Sequence, residues 1–212
     1  MPFEVRVTVY IVLAVLLAIL FFILFFYKPL RKAYYRHAPK EFFYRKIMKV
    51  VKNGDYYLIN NLKIELGQKQ VAIVDHLVGG DKFIYVITDF YCEGALSASP
   101  NDSNWNYYRK DGKKAMIPNP LVAARNVMVR LTMQTGINSS YLIGIVLIND
   151  DCFVNAFHNI EGDVQLVPLS KLQKFVDSCE SRPLGQFAPK ELHQVIWDLN
   201  ELNEKIESKE HD

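Results

Sequence analysis

Asp75 and His76 stand side by side in an otherwise apolar run, Ile73-Val74-Asp75-His76-Leu77-Val78. A carboxylate beside an imidazole is a pairing that acid–base chemistry or metal binding can use. On an extended strand, though, neighbouring side chains point to opposite faces, so His76 is expected to serve structure on the side away from Asp75. The other histidines, His37, His158, His193 and His211, are scattered, and none has a His or Cys at the spacing of a metal site. Cys92 falls just past an apolar run with no histidine placed by sequence to activate it, and reads as an ordinary thiol. Asp150-Asp151 follows another apolar run, where a polar turn accounts for the pair as well as a metal would. Gly79-Gly80 leads into a strand rather than a helix, unlike a phosphate-cradling loop. Trp105 and Tyr107-Tyr108 have the rings to stack on bases, but holding a long polar stretch against the domain is the simpler role.

These residues need elements to position them. Residues 41–52 alternate Phe42, Phe43, Ile47, Val50 and Val51 with Lys and Arg, the pattern of an amphipathic helix that Gly54 and Asp55 stop. Residues 57–65 and 70–77 read as strands, and Gly79-Gly80-Asp81 as a tight turn. Residues 83–88, Phe-Ile-Tyr-Val-Ile-Thr, are almost continuously apolar and predict a strand buried on both faces. Residues 94–120 read as a long loop with at most a short hairpin around 105–108. A helix is expected over 121–135, a central strand over 141–148, and short strands over 153–157 and 164–167. Helices follow over 172–179 and 189–206. The order predicts an α/β arrangement around a mixed sheet.

The chain has 212 residues, 50% of them hydrophobic and 23% charged, with a mean hydropathy of zero. That mixture excludes a disordered chain and a fully membrane-embedded one. The three cysteines, Cys92, Cys152 and Cys179, are too few for a disulfide framework. Apolar residues concentrate in residues 7–27, where no charge occurs over 21 positions. As a helix that run spans roughly 31 Å, the thickness of a bilayer's hydrocarbon core. It is too long for a cleavable signal and lacks small residues before a cut. Only Glu4 and Arg6 precede it, whereas Lys28, Arg31, Lys32, Arg36 and Lys40 follow before the first acid, Glu41. The positive-inside bias therefore predicts an external N-terminus and a cytoplasmic domain, in keeping with reduced thiols. Residues 28–54 carry nine basic residues against one acid, suited to anionic headgroups at about 1 kcal/mol per charge. The same charges would serve nucleic acid, although residues 28–212 together are only +2.

Several fragments, taken in order, resemble the nuclease-related domain, NERD, of the PD-(D/E)xK endonuclease-like superfamily. They are Glu41 opening a helix with Tyr44, Met48 and Val51 inward; Ile73-Val74-Asp75-His76 at the end of the second strand; and Phe83-Ile84-Tyr85-Val86-Ile87 with Gly94 seven residues on. Trp105, then Asn119-Pro120 opening a helix, and Pro189-Lys190-Glu191-Leu192 opening another complete the set. The likeness covers about residues 41–205, and the order and spacing of the fragments carry it. It implies a restriction-endonuclease-like fold, a mixed β-sheet flanked by helices, here preceded by one transmembrane helix. The expected division is a short external N-terminus (1–6), the transmembrane helix (7–27), a basic juxtamembrane linker (28–40), the domain (41–206) and a charged tail (207–212).

In that superfamily an Asp on one strand and a Glu-x-Lys pair on the next hold a divalent metal and position water, often helped by a Gln on the following helix. Matched residue by residue, Asp75 falls on the metal-binding Asp and Glu41 on an auxiliary acid. The Glu falls on Thr88, the Lys on Phe90 and the Gln on Ala123. Asp89 lies between the two altered positions and would face away from Asp75 unless a bulge turned it inward. Loss of a positioned proton-transfer group costs about 10²–10⁴ in rate. The resemblance thus implies a catalytically inactive module, without a cofactor, that binds nucleic acid or a protein partner at the membrane. The alternative is a membrane-tethered nuclease that binds Mg²⁺ or Mn²⁺ at Asp75 with help from Glu41 and Asp89.

Overall fold

A computed structural model describes residues 3–67, 70–155 and 163–210, which fall into an N-terminal unit, residues 1–42, and a folded unit, residues 43–212.

In the N-terminal unit a single helix, α1 (Phe3–His37), includes Pro29. Its Val9–Tyr27 stretch is long and apolar enough to cross a membrane, and none of it is buried against the protein. Residues 28–40, expected as a linker, are mostly helical: α1 runs to His37 and α2 (Pro39–Gly54) begins two residues later. Lys28, Arg31 and Lys32 lie on α1, their side chains outside the described part, while Arg36 and Lys40 are exposed. The long aliphatic side chains of the basic run suit a helix.

The folded unit is a mixed α/β domain with two mixed sheets flanked by helices. Beyond residue 42, α2 buries Phe43, Ile47, Val50 and Val51. Tyr44, expected to point inward, is exposed instead, because the buried stripe follows the three-to-four spacing of 43, 47, 50 and 51. The first sheet has the order β1 (Tyr57–Gly67), β2 (Gln70–Gly79), β3 (Ile84–Phe90), β7 (Leu142–Ile148) and β9 (Val164–Pro168). Strands β1, β2 and β3 are antiparallel, and β3, β7 and β9 are parallel. Every residue of β7 is buried, as its unbroken apolar run requires for a strand covered on both faces. Helix α3 (Pro120–Thr135) lies on this sheet, with Leu121, Ala124, Met128 and Leu131 inward. Helices α4 (Leu172–Glu180) and α5 (Pro189–Glu210) follow. α5 continues past residue 206 into the expected tail, and residues 211 and 212 lie outside the described part.

The second sheet departs most from expectation. Residues 94–118, read as a loop, form β4 (Gly94–Ser97), β5 (Asn104–Arg109) and β6 (Lys114–Pro118), and β8 (Phe153–Asn155) completes the order β6-β5-β4-β8. Trp105 and Tyr107 alternate inward on β5. The turn at Asp111-Gly112 places Gly112 at φ +80°, a left-handed conformation that glycine adopts freely. The remainder of the expected strand 153–157 lies outside the described residues.

Candidate functional site

The residues singled out from the sequence meet where β2 and β3 part. The β2–β3 ladder ends at the His76–Ile87 pair. Asp75 lies inside β2, which runs on through Leu77 and Val78 to Gly79, rather than at the strand's end. Two residues past Ile87, beyond the last pair, Asp75 Oδ2 accepts the backbone N–H of Asp89 at 2.9 Å. The carboxylate thus stands in for a missing ladder carbonyl. Across β1, the pairs Asn60–His76 and Leu62–Val74 leave Asn61 opposite Asp75. Asn61 has φ +54°, a left-handed conformation that asparagine tolerates better than most residues.

His76 is buried between two polar side chains. Asn60 Oδ1 lies 2.6 Å from Nδ1, and Asp89 Oδ2 lies 3.1 Å from Nε2. Both ring nitrogens have side-chain partners, so neither is open to bind a metal. Alternation puts Asp89 on the His76 side of the sheet and Asp75 on the other. β3 pairs with β7 residue for residue from Ile84 to Phe90, so no bulge turns Asp89 towards Asp75. The Tyr44 ring lies 6.2 Å from the imidazole. Asn60 is the member that the sequence reading missed. Its signal was an Asn-Asn pair inside an apolar strand, a residue type strands disfavour.

The positions matched to lost catalytic groups are filled in ways that suit structure. Phe90, where lysine is expected, lies edge-on to Trp105 with ring centroids 6.5 Å apart. Trp105 is buried and donates Nε1–H to Ser99 O at 2.8 Å. Ala123, where glutamine is expected, is exposed on α3. Glu41 belongs to the N-terminal unit, where its carboxylate accepts from the Tyr34 hydroxyl. Asn119 caps α3 by accepting from Leu121 N, and its amide donates to Asp102 O at 2.7 Å.

A donor set for Mg²⁺ or Mn²⁺ needs several oxygens converging on one point. Asp75 offers one carboxylate with an oxygen already bonded, Asp89 points to the opposite face, and Thr88 and Phe90 bring no carboxylate. These residues do not fit a divalent cation. Among the described residues, no group of three or more His, Cys, Asp or Glu side chains is placed to hold one. Asp150 Oδ1 accepts from Ser170 N and Oγ at 2.9 and 2.6 Å. The Tyr57 hydroxyl lies 3.5 Å from His193 Nδ1. His158 and His211 fall outside the described residues.

Just beyond Asp89, Cys92 N donates to Asn149 Oδ1 at 2.8 Å and Asn149 Nδ2 donates to Cys92 O at 2.9 Å. The Tyr107 hydroxyl donates to Glu93 O at 2.7 Å, and burial raises that phenol above its ordinary range. At the other end of the β2–β3 hairpin, Glu180 Oε2 accepts Lys82 N at 2.9 Å and Oε1 accepts the Tyr85 hydroxyl at 2.7 Å. A Cβ on Gly80 would stand 2.4 Å from Glu180 Oε1, so only glycine lets the carboxylate approach the turn. Burial pushes Glu180 above its ordinary range, partly offset by the Tyr85 and Lys82 hydrogen bonds.

No family model and no curated protein matches the chain. One solved structure, the crystal structure of a protein of unknown function, AF1548, aligns over 78% of this chain and 96% of its own at 10% identity and a TM-score of 0.32. That likeness is too low to carry an argument.

Proposed function

We propose that this chain is a non-catalytic module of nuclease-related, restriction-endonuclease-like fold, anchored by α1 with its folded unit on the cytoplasmic side, and that it holds nucleic acid at the membrane. The observation that carries the non-catalytic reading is that both nitrogens of His76 are engaged by side chains, Asn60 and Asp89. With the imidazole held between two side chains and Asp75 bonded to backbone, the hydrogen bonds of the cluster serve the fold. The fold assignment draws support from Asp75 and the Thr88–Phe90 segment lying on neighbouring strands, as the resemblance requires. Orientation draws support from the five basic residues that follow the apolar span.

The partner is suggested by the β5–β6 hairpin. Its exposed tip presents Arg109, Lys110, Lys113 and Lys114 against Asp111, and Lys114 Nζ stands 5.6 Å over the exposed Tyr108 ring. Cations beside an exposed ring suit phosphates and a stacked base. The test is a labelled single-stranded oligonucleotide added to the full-length protein in neutral-lipid nanodiscs, with and without Mn²⁺. We expect binding that weakens steeply with salt and with Lys113→Glu/Lys114→Glu, and no cleavage. Mn²⁺-dependent cleavage would contradict the non-catalytic reading. Salt-insensitive binding, or none, would turn the search towards a protein partner.

A further inference from the structure

We infer that Cys92 and Cys152 form an oxidant-sensitive thiol pair, which closes to a disulfide across the two places where the chain passes from one sheet to the other. β3 and β7 are parallel neighbours, with Thr88 opposite Val146 and Phe90 opposite Ile148. Both segments then leave the first sheet and enter the second as β4 and β8, which are again parallel neighbours, with Ala95 opposite Phe153. The offset between partners is unchanged, so the two segments cross together. Cys92 lies in one crossing and Cys152 in the other.

Asn149 clamps the two crossings. It bonds both the N–H and the C=O of Cys92, and its own carbonyl accepts Cys152 N at 3.2 Å. The thiols face each other within this clamp, an interaction that draws Cys92 towards thiolate and keeps Cys152 protonated, and Cys152 Sγ donates to Phe153 O at 3.8 Å. Cys92 is 4% exposed, whereas Cys152 is half-buried and borders an open cleft with Asn149, Asp150 and Phe175. Cys152 thus offers the way in and Cys92 the reactive sulfur. Cys179, buried on α4 and raised by that burial, is the internal control.

The oxidant is a peroxide. Cys92 thiolate attacks one oxygen of hydrogen peroxide; the S–O bond forms, the O–O bond breaks, and hydroxide leaves and takes up the thiol's proton as water. Cys152 then loses its proton and attacks the Cys92 sulfur, forming S–S and expelling the oxygen as a second water. Two thiols lose two electrons, and one peroxide gains them. This inference does not depend on whether the domain binds nucleic acid.

The test uses the full-length protein in native membranes, reduced and then exposed to hydrogen peroxide at a dose that fully oxidises glutathione added as a standard. Remaining thiols are blocked and the peptides mapped without reduction. We expect the Cys92 and Cys152 peptides joined with a loss of about 2 Da, released by dithiothreitol, with Cys179 alkylated throughout. In Cys152→Ser, we expect dimedone to trap a sulfenic acid on Cys92. Both thiols remaining alkylatable in the wild-type chain, or a link that includes Cys179, would overturn the inference.

Discussion

The two ends of the β2–β3 hairpin invite comparison, since only one was expected to do chemistry. At the turn end, Glu180 uses both carboxylate oxygens to hold Lys82 N–H and the Tyr85 hydroxyl. At the open end, Asp75 holds Asp89 N–H, and Asp89 holds the ring of His76 with Asn60 behind it. Each end satisfies a backbone donor with a carboxylate and bonds a buried ring or ring hydroxyl to a carboxylate oxygen. A site kept for catalysis leaves a donor or acceptor facing substrate; a structural network spends them all. In this respect the ring of His76 at the open end resembles the Tyr85 hydroxyl at the turn end, each held by protein side chains. The lesson is that an Asp in the right place on a strand says little until its hydrogen bonds are counted.

Several changes would break or sharpen this likeness. The largest effect is expected from His76→Ala, which leaves the buried Asp89 carboxylate facing an emptied site; it should cost about 3–5 kcal/mol in denaturant unfolding. A His76 kept only for chemistry would show little loss, and the two ends would then differ in kind. Glu180→Ala strands Lys82 N–H and the Tyr85 hydroxyl at the other end and should cost about 1–3 kcal/mol by the same assay. Asn61→Val forces a β-branched residue into a left-handed conformation opposite Asp75 and should cost about 1–2 kcal/mol, whereas Asn61→Gly should be nearly neutral.

The smallest effect concerns pH. The folded state raises Glu180 above its ordinary 4.5, so the folded chain holds that proton more tightly than the unfolded chain. Its contribution to stability is full below pH 4.5 and falls as pH rises through the raised value. Unfolding midpoints measured upward from pH 4.5 should show this decline in the wild type and a flatter profile in Glu180→Gln. Identical profiles would remove Glu180 from the account.

The elements that position the open end were legible where burial is complete. β7 is an apolar run buried at every residue and β3 is buried over Ile84 to Ile87, and a run of that kind admits few readings. Asn119-Pro120 marked the start of α3, because an Asn cap followed by proline is preorganised for a helix. The second sheet was hidden because its strands are short and polar, and their alternation depends on Trp105 and Tyr107 finding an interior. The Lys-Asp-Gly-Lys turn was the available signal. Asp75 was misplaced at a strand end although Leu77 and Val78 carry the apolar run onward. The bond from Asn60 to His76 and the meeting of Cys92 with Cys152 depend on register between strands distant in sequence, which no local pattern encodes.

The most direct test of the non-catalytic claim is calorimetric titration of Mn²⁺ into the full-length protein in neutral-lipid nanodiscs, beside Asp75→Ala. The account predicts heats equal to those of empty nanodiscs for both proteins. Saturable binding by the wild type that Asp75→Ala abolishes would contradict it.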